Sequence, residues 1–112
     1  MIFRRRFGDL IDRQLDLFEH DNADLFERLE DAEDEYRRAG RADAEERFGD
    51  LQELLAEGGE TLVGLRDTYV ETLDDQAAEE YAGAFDFAVL RRFPQFALEL
   101  GDDEDDDEEE GG

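Results

Sequence analysis

Residues 41–73, RADAEERFGDLQELLAEGGETLVGLRDTYVETL, decide the fold. Within them Ala44, Phe48, Leu51, Leu55, Gly58, Leu62, Leu65 and Tyr69 follow one another at spacings of 4, 3, 4, 3, 4, 3 and 4, and Leu73 extends the row. This is a heptad-type seam along one face of a helix, about 30 residues or about 45 Å long. The pair Gly58-Gly59 sits in its middle. Each interior glycine costs about 1 kcal/mol against alanine, which argues for a break. A turn would scramble the phase, however, and the phase runs through the pair intact. The spacing therefore predicts one long helix, bent at Gly58, where the missing side chain permits a close helix crossing.

The flanking segments carry shorter stripes. Upstream, Leu25, Leu29, Ala32, Tyr36 and Ala39 repeat at 4, 3, 4 and 3, one face of a second helix with Asp21 or Asn22 as its N-cap. Gly40 is placed to end that helix in the left-handed conformation. Asp43 and Glu46 have the D-x-x-E spacing of a capping box, so residues 40–43 read as a tight turn between antiparallel helices. Further back, Phe3, Phe7, Leu10, Ile11, Gln14, Leu17 and Phe18 form a first stripe.

Downstream, Asp74-Asp75 cap a fourth helix bearing Ala78, Tyr81, Phe85 and Ala88, with the stem of Arg92 continuing the line. Phe87 and Leu90 are expected to widen its buried face, and Pro94 to end it. Residues 93–100 read as an extended strap or a last helical turn. The fold expected is all-α: an elongated four-helix antiparallel bundle over residues 1–100, with a long third helix. Helices 2 and 4 pack on its two halves, leaving helix 1 as a lid or as a surface for a second subunit. Residues 101–112, GDDEDDDEEEGG, hold nine acids and no base and are expected to be a disordered acidic tail.

The net charge of the 112 residues is −24, from 36 acids and 12 bases, and every base is arginine. Nucleic acid and anionic membranes are thereby disfavoured as partners, because both need concentrated cations. The basic islands Arg4-Arg5-Arg6 with Arg13, and Arg91-Arg92, are expected to pair with the chain's own acids. Such a composition fits a high-GC genome or a salt-adapted cytosol, where self-repulsion is screened. Gly8 and Asp9 interrupt any apolar leader, and no stretch reaches the ~20 apolar residues of a membrane span. A cytoplasmic location is the expectation.

Little standard chemistry can be assembled. Cysteine and serine are absent, and the three threonines, Thr61, Thr68 and Thr72, lie on one helix without a histidine. A ferritin-like di-metal site needs two Glu-x-x-His pairs, and His20 is the one histidine. It reads as a cation at the C-terminal end of helix 1. No EF-hand frame occurs in the tail.

Residues 26–55, FERLEDAEDEYRRAGRADAEERFGDLQELL, resemble the metal-binding hairpin of MazG-like all-α nucleotide pyrophosphohydrolases, which pairs E-x-x-E with E-E-x-G-D. Arg91-Arg92-Phe93-Pro94 is similar to a later Arg-Arg-His-Pro of that family. The resemblance implies Mg²⁺ held by Glu30, Glu33, Glu46 and Asp50, activating a water against a nucleoside triphosphate. Arg47 stands where the family has a further carboxylate, and the chain has no lysine for the triphosphate. RQLDLF at residues 13–18 and RRFPQFALEL at 91–100 are also similar to small all-helical proteins of high-GC actinobacteria, a resemblance that implies no activity.

The residues taken together read as a non-enzymatic helical interaction or scaffold protein without a cofactor. It binds a protein partner or itself, as a homodimer, through helix 1 and the 93–100 strap, with Phe3, Phe7, Phe93 and Phe96 as contact residues. The alternatives are the Mg²⁺-dependent pyrophosphohydrolase and an acidic mimic of nucleic acid that binds a basic protein.

Overall fold

A computed structural model of the chain describes residues 2–97 and 100, with side chains described from Arg6 onward. The acidic tail 101–112 and the side chain of Phe3 lie outside the described residues. The fold is an all-α helical bundle with α1 (Ile2–Asp21), α2 (Ala23–Arg38), α3 (Arg41–Val70) and α4 (Asp75–Arg92). A fifth short helical segment begins at Pro94, so the residues after α4 form a turn of helix rather than an extended strap. Proline suits that first position because its missing N–H would be unpaired there in any case. The particle is elongated, 50 × 38 × 23 Å. None of the described helices is long and apolar enough to cross a membrane.

The long third helix is continuous through Gly58-Gly59, as its unbroken phase requires. Asp74 caps α4, its carboxylate accepting from the Ala77 N–H at 2.9 Å. The turn before α3 differs from expectation. Gly40 is extended (φ −75°, ψ 174°) and serves as the N-cap of α3. Ala39 has already left the helix in an extended conformation, which removes the need for a left-handed residue. With the helix starting at Arg41, Asp43 falls in its first turn, and no side chain caps that N-terminus.

Between α1 and α2 there is a bend instead of a hairpin. Only Asn22 separates them, and the helical hydrogen-bond pattern spans it, with Asn22 N–H donating to Phe18 O at 3.0 Å and Phe26 N–H to Asn22 O at 3.2 Å. The Asn22 side chain also donates to Phe18 O, at 2.8 Å, so it closes α1 rather than capping α2. The chain therefore runs on in one sense through α1 and α2, returns along α3, and turns again into α4. As a result α4 lies parallel to α1: Phe7 meets Tyr81 and Phe18 meets Phe93, with ring centroids 5.4 and 5.5 Å apart. The pairs α2–α3 and α3–α4 are antiparallel, joined by short turns and bridged by Arg47 with Glu35 and Arg66 with Asp86.

The core lies where α1, α4, the C-terminal half of α3, residues 93–97 and Leu100 meet. It contains Phe7, Ile11, Leu15, Phe18, Leu62, Tyr81, Phe85, Val89, Phe93, Phe96 and Leu100, with Leu25 and Leu29 from the root of α2. Helix 1 is thus a central element and not a lid, with four of its apolar residues fully inside. Phe87 and Leu90 do not widen the buried face of α4; they are 39% and 55% exposed. Arg66 braces α3 to α4, its Nη1 donating to both Asp86 oxygens at 2.9 and 3.1 Å. Burial works against its charge, but Asp86 and Asp67 outweigh that and hold its pKa above the ordinary value.

Candidate functional site

The two halves of α3 have different company. The C-terminal half packs on α4, whereas the N-terminal half runs along α2. The α2–α3 hairpin therefore projects from the body as a two-helix arm. Burial along the chain makes the boundary sharp: no residue from Glu30 to Glu57 is buried. Those 28 residues still carry the apolar positions Ala32, Tyr36, Ala39, Ala44, Phe48, Leu51 and Leu55. Two helices can shield only the line along which they touch, and the outer flank of each stripe stays in water.

Aromatic residues mark the uncovered face. Tyr36 and Phe48 pack on each other across the hairpin, with centroids 5.6 Å apart at 48°, yet remain 39% and 45% exposed. Leu51, Leu54 and Leu55 are half-buried and pack against the core. Ion pairs stitch the arm on its polar sides. Arg28 bridges Asp24 (3.1 Å) and Glu57 (3.3 Å), Arg47 bridges Glu35 (3.3 Å) and Asp50 (3.7 Å), and Arg38 meets Asp34 at 2.9 Å. Being exposed, each is worth a few tenths of a kcal/mol at most. Arg41 has no ion pair among the described residues.

The residues expected to hold Mg²⁺ lie on this arm but do not converge. Glu30, Glu33, Glu46 and Asp50 are all exposed, on helix positions off the apolar seam. Arg47 takes the Asp50 carboxylate, so a cation already sits where the second motif would need an anion. Among the described residues no three His, Cys, Asp or Glu side chains are close enough to hold a metal ion. Hence the hairpin that resembles a metal-binding one does not bring its proposed ligands together.

The expected contact residues are also placed differently. Phe7, Phe93 and Phe96 are buried in the chain's own core, at 6%, 5% and 0% exposure, and present nothing to a partner. Phe18 and Phe26 hold Phe93 and Phe96 in an aromatic cluster with centroids between 5.5 and 5.9 Å apart. Of the basic islands, Arg92 pairs with Asp16 (2.7 Å) and Glu19 (2.9 Å) and Arg6 with Glu80 (3.1 Å), whereas Arg13 and Arg91 make no ion pair among the described residues.

A second surface feature lies between α1 and α4, an open groove of about 420 Å³ lined by Gly8, Ile11, Leu15, Ala84, Phe87 and Arg91. Arg91 stacks over the Phe87 ring, 5.7 Å from its centroid, and so partly covers that aromatic.

Tyr36 and Phe48 were legible as seam residues but not as exposed ones. The signal was in the lengths: an 18-residue α4 cannot cover a 30-residue α3. Comparison with known proteins finds no matching family model, no matching curated protein and no matching solved structure.

Proposed function

We propose that the chain is a non-enzymatic helical interaction protein whose binding surface is the apolar face of the α2–α3 arm. The observation that carries this reading is the 28-residue stretch without one buried residue, on which the heptad seam nevertheless continues. Short helices owe most of their stability in water to packing of an apolar face, and a contiguous exposed apolar patch on a small chain marks an association surface. Exposed Tyr and Phe suit this role, being large, rigid and inexpensive to order. The core phenylalanines hold the arm in position from inside. The same proposal keeps the cytoplasmic setting expected from the sequence.

Replacing Phe48 by a photo-crosslinking phenylalanine analogue tests the reading in cells, with the same analogue at Glu46 as the control. Irradiation is expected to give a discrete protein adduct from position 48 and none from position 46. Absence of any protein adduct from position 48 overturns the proposal.

A further inference from the structure

We infer that the occupant of the arm is a second copy of this chain, docked antiparallel so that two α2–α3 arms form a four-helix bundle. The inference rests on the arm being the binding surface and adds the identity of what covers it.

Charge along the arm is the first ground. Its tip, residues 37–47, holds four arginines (Arg37, Arg38, Arg41 and Arg47) against three acids. Its stem is strongly acidic: residues 24–35 carry seven acids and one arginine, and residues 50–60 carry four acids and no base. The arm therefore grades from a tip of net charge +1 (4 − 3) to a strongly negative stem, with Arg41 free of ion pairs among the described residues and Arg37, Arg38 and Arg47 paired within their own copy to Asp34, Glu35 and Asp50. Two copies of net charge −24 repel in most orientations. In the antiparallel one, each basic tip lies against the other copy's acidic stem, and the potentials are complementary. A two-fold axis needs a patch complementary to itself, and a basic-to-acidic arm meets that condition when reversed end to end. A parallel pairing would set stem on stem.

Size and pattern agree. From Arg41 to Glu57 the arm is about 25 Å long and two helices, or about 20 Å, wide, which gives roughly 500 Å² per copy. The total of roughly 1,000 Å² stands at the lower bound for a specific interface, so the dimer forms on the micromolar scale. Apolar positions spaced alternately 4 and 3 on both helices fit the knobs-into-holes core of a four-helix bundle, which two helices alone cannot complete. Tyr36 and Phe48, already packed together within one arm, become the aromatic layer on either side of the axis.

Sedimentation of the full chain tests the inference with two charge-reversed variants. One reverses the tip (Arg37→Glu, Arg38→Glu, Arg41→Glu) and the other reverses the stem (Glu30→Arg, Glu33→Arg, Glu53→Arg). The unaltered chain is expected to be a dimer that dissociates on dilution. Each variant alone should be weakened by roughly tenfold or more, since like charges then face each other. An equimolar mixture of the two should recover dimers, which also shows that both variants are folded. A chain that stays monomeric up to about 100 µM, well above a micromolar Kd, overturns the inference. So does a dimer indifferent to both reversals, or a mixture that fails to recover. The crosslinking result separates the two readings: an adduct of position 48 with a different protein, beside a monomeric chain, removes the second copy and leaves the arm as the binding surface.

Discussion

Phe96 is seated directly on the backbone of Gly58. A Cβ built on Gly58 would overlap the ring, lying 2.6 Å from Cζ and 2.8 Å from Cδ1. The ring itself is fully buried and packs edge-on against Phe18 and Phe26, with both centroids 5.9 Å away. At this point the bend between α1 and α2, the middle of α3 and the short helical segment after α4 come together. The glycine in the seam is therefore a seat for an aromatic ring, and α3 needs no break to accommodate it.

Gly58→Ala is accordingly expected to destabilise the chain by about 1–3 kcal/mol, the cost of forcing an extra methyl into a filled core. That outweighs the ~1 kcal/mol by which alanine is the better helix former. Gly64 gives the contrast. It is helical, and nothing lies within 4 Å of an added Cβ, so Gly64→Ala should stabilise by about 0.5–1 kcal/mol. Denaturant unfolding of the two variants measures the difference, and a Gly58→Ala chain as stable as Gly64→Ala would contradict the seating of Phe96.

How far the sequence reveals this arrangement depends on what each signal physically reports. The helices and the continuity of α3 were legible because heptad phase depends only on the local backbone. The Asp74 cap was legible because its carboxylate needs no tertiary partner. Gly40 was misread because a glycine between helices serves equally as a left-handed terminator or as an extended N-cap. Ala39, by leaving the helix first, made it the latter. The site was less legible still. Periodicity tells which residues share a face but not which faces other helices reach. Phe7, Phe93 and Phe96 are covered because α1 runs parallel to α4, a consequence of one bend at Asn22 that no residue announces. Tyr36 and Phe48 are uncovered for the same reason: α4 follows α1 and leaves α2 alone with its half of α3. The acidic spacing at Glu30, Glu33, Glu46 and Asp50 carried the least information, since E-x-x-E arises readily in a chain with 36 acids among 112 residues.

Two phenylalanines on opposite sides of that divide should behave differently. Phe96→Ala removes a fully buried ring from an aromatic cluster and is expected to cost about 3–5 kcal/mol. Phe48→Ala removes one that is 45% exposed, and should cost less than ~1 kcal/mol of monomer stability. Unfolding measured in dilute solution, where association does not contribute, checks both values. A large loss at Phe48 under those conditions would mean that the monomer itself depends on the arm's outer face.

The Arg66–Asp86 brace predicts a further cost. Both side chains are mostly covered, at 15% and 21% exposure, so removing Asp86 leaves the Arg66 guanidinium partly desolvated without its main counter-charge. Residual solvent contact moderates the loss, and Asp67 still accepts from Arg66 Nε at 3.0 Å. Asp86→Ala is expected to destabilise by about 1–3 kcal/mol, and Asp67→Ala, at the exposed end of the same guanidinium, by less than ~1 kcal/mol. Thermal unfolding of the two variants at one pH gives the comparison, and equal losses would count against the brace.

Tyr81 sets the behaviour at high pH. Its ring is fully buried and its hydroxyl donates to Gln14 Oε1 at 2.8 Å. Burial, with the neighbouring Tyr69 adding to it, pushes the phenol up from 10.0 to about 12. The neutral phenol is therefore favoured by the folded state, and the unfolded chain gives up this proton first. Below pH 10 both states hold the proton and the stabilisation is complete; as pH rises from 10 toward 12 the unfolded state ionises while the folded one does not, and stability falls. Tyr81→Phe is expected to lose about 1 kcal/mol near neutral pH with the hydrogen bond to Gln14. In return it should show a shallower decline in unfolding midpoint above pH 10. Denaturant midpoints followed from pH 8 to pH 11.5 test the sign, and parallel declines in the two proteins would show that the Tyr81 phenol does not carry the alkaline transition.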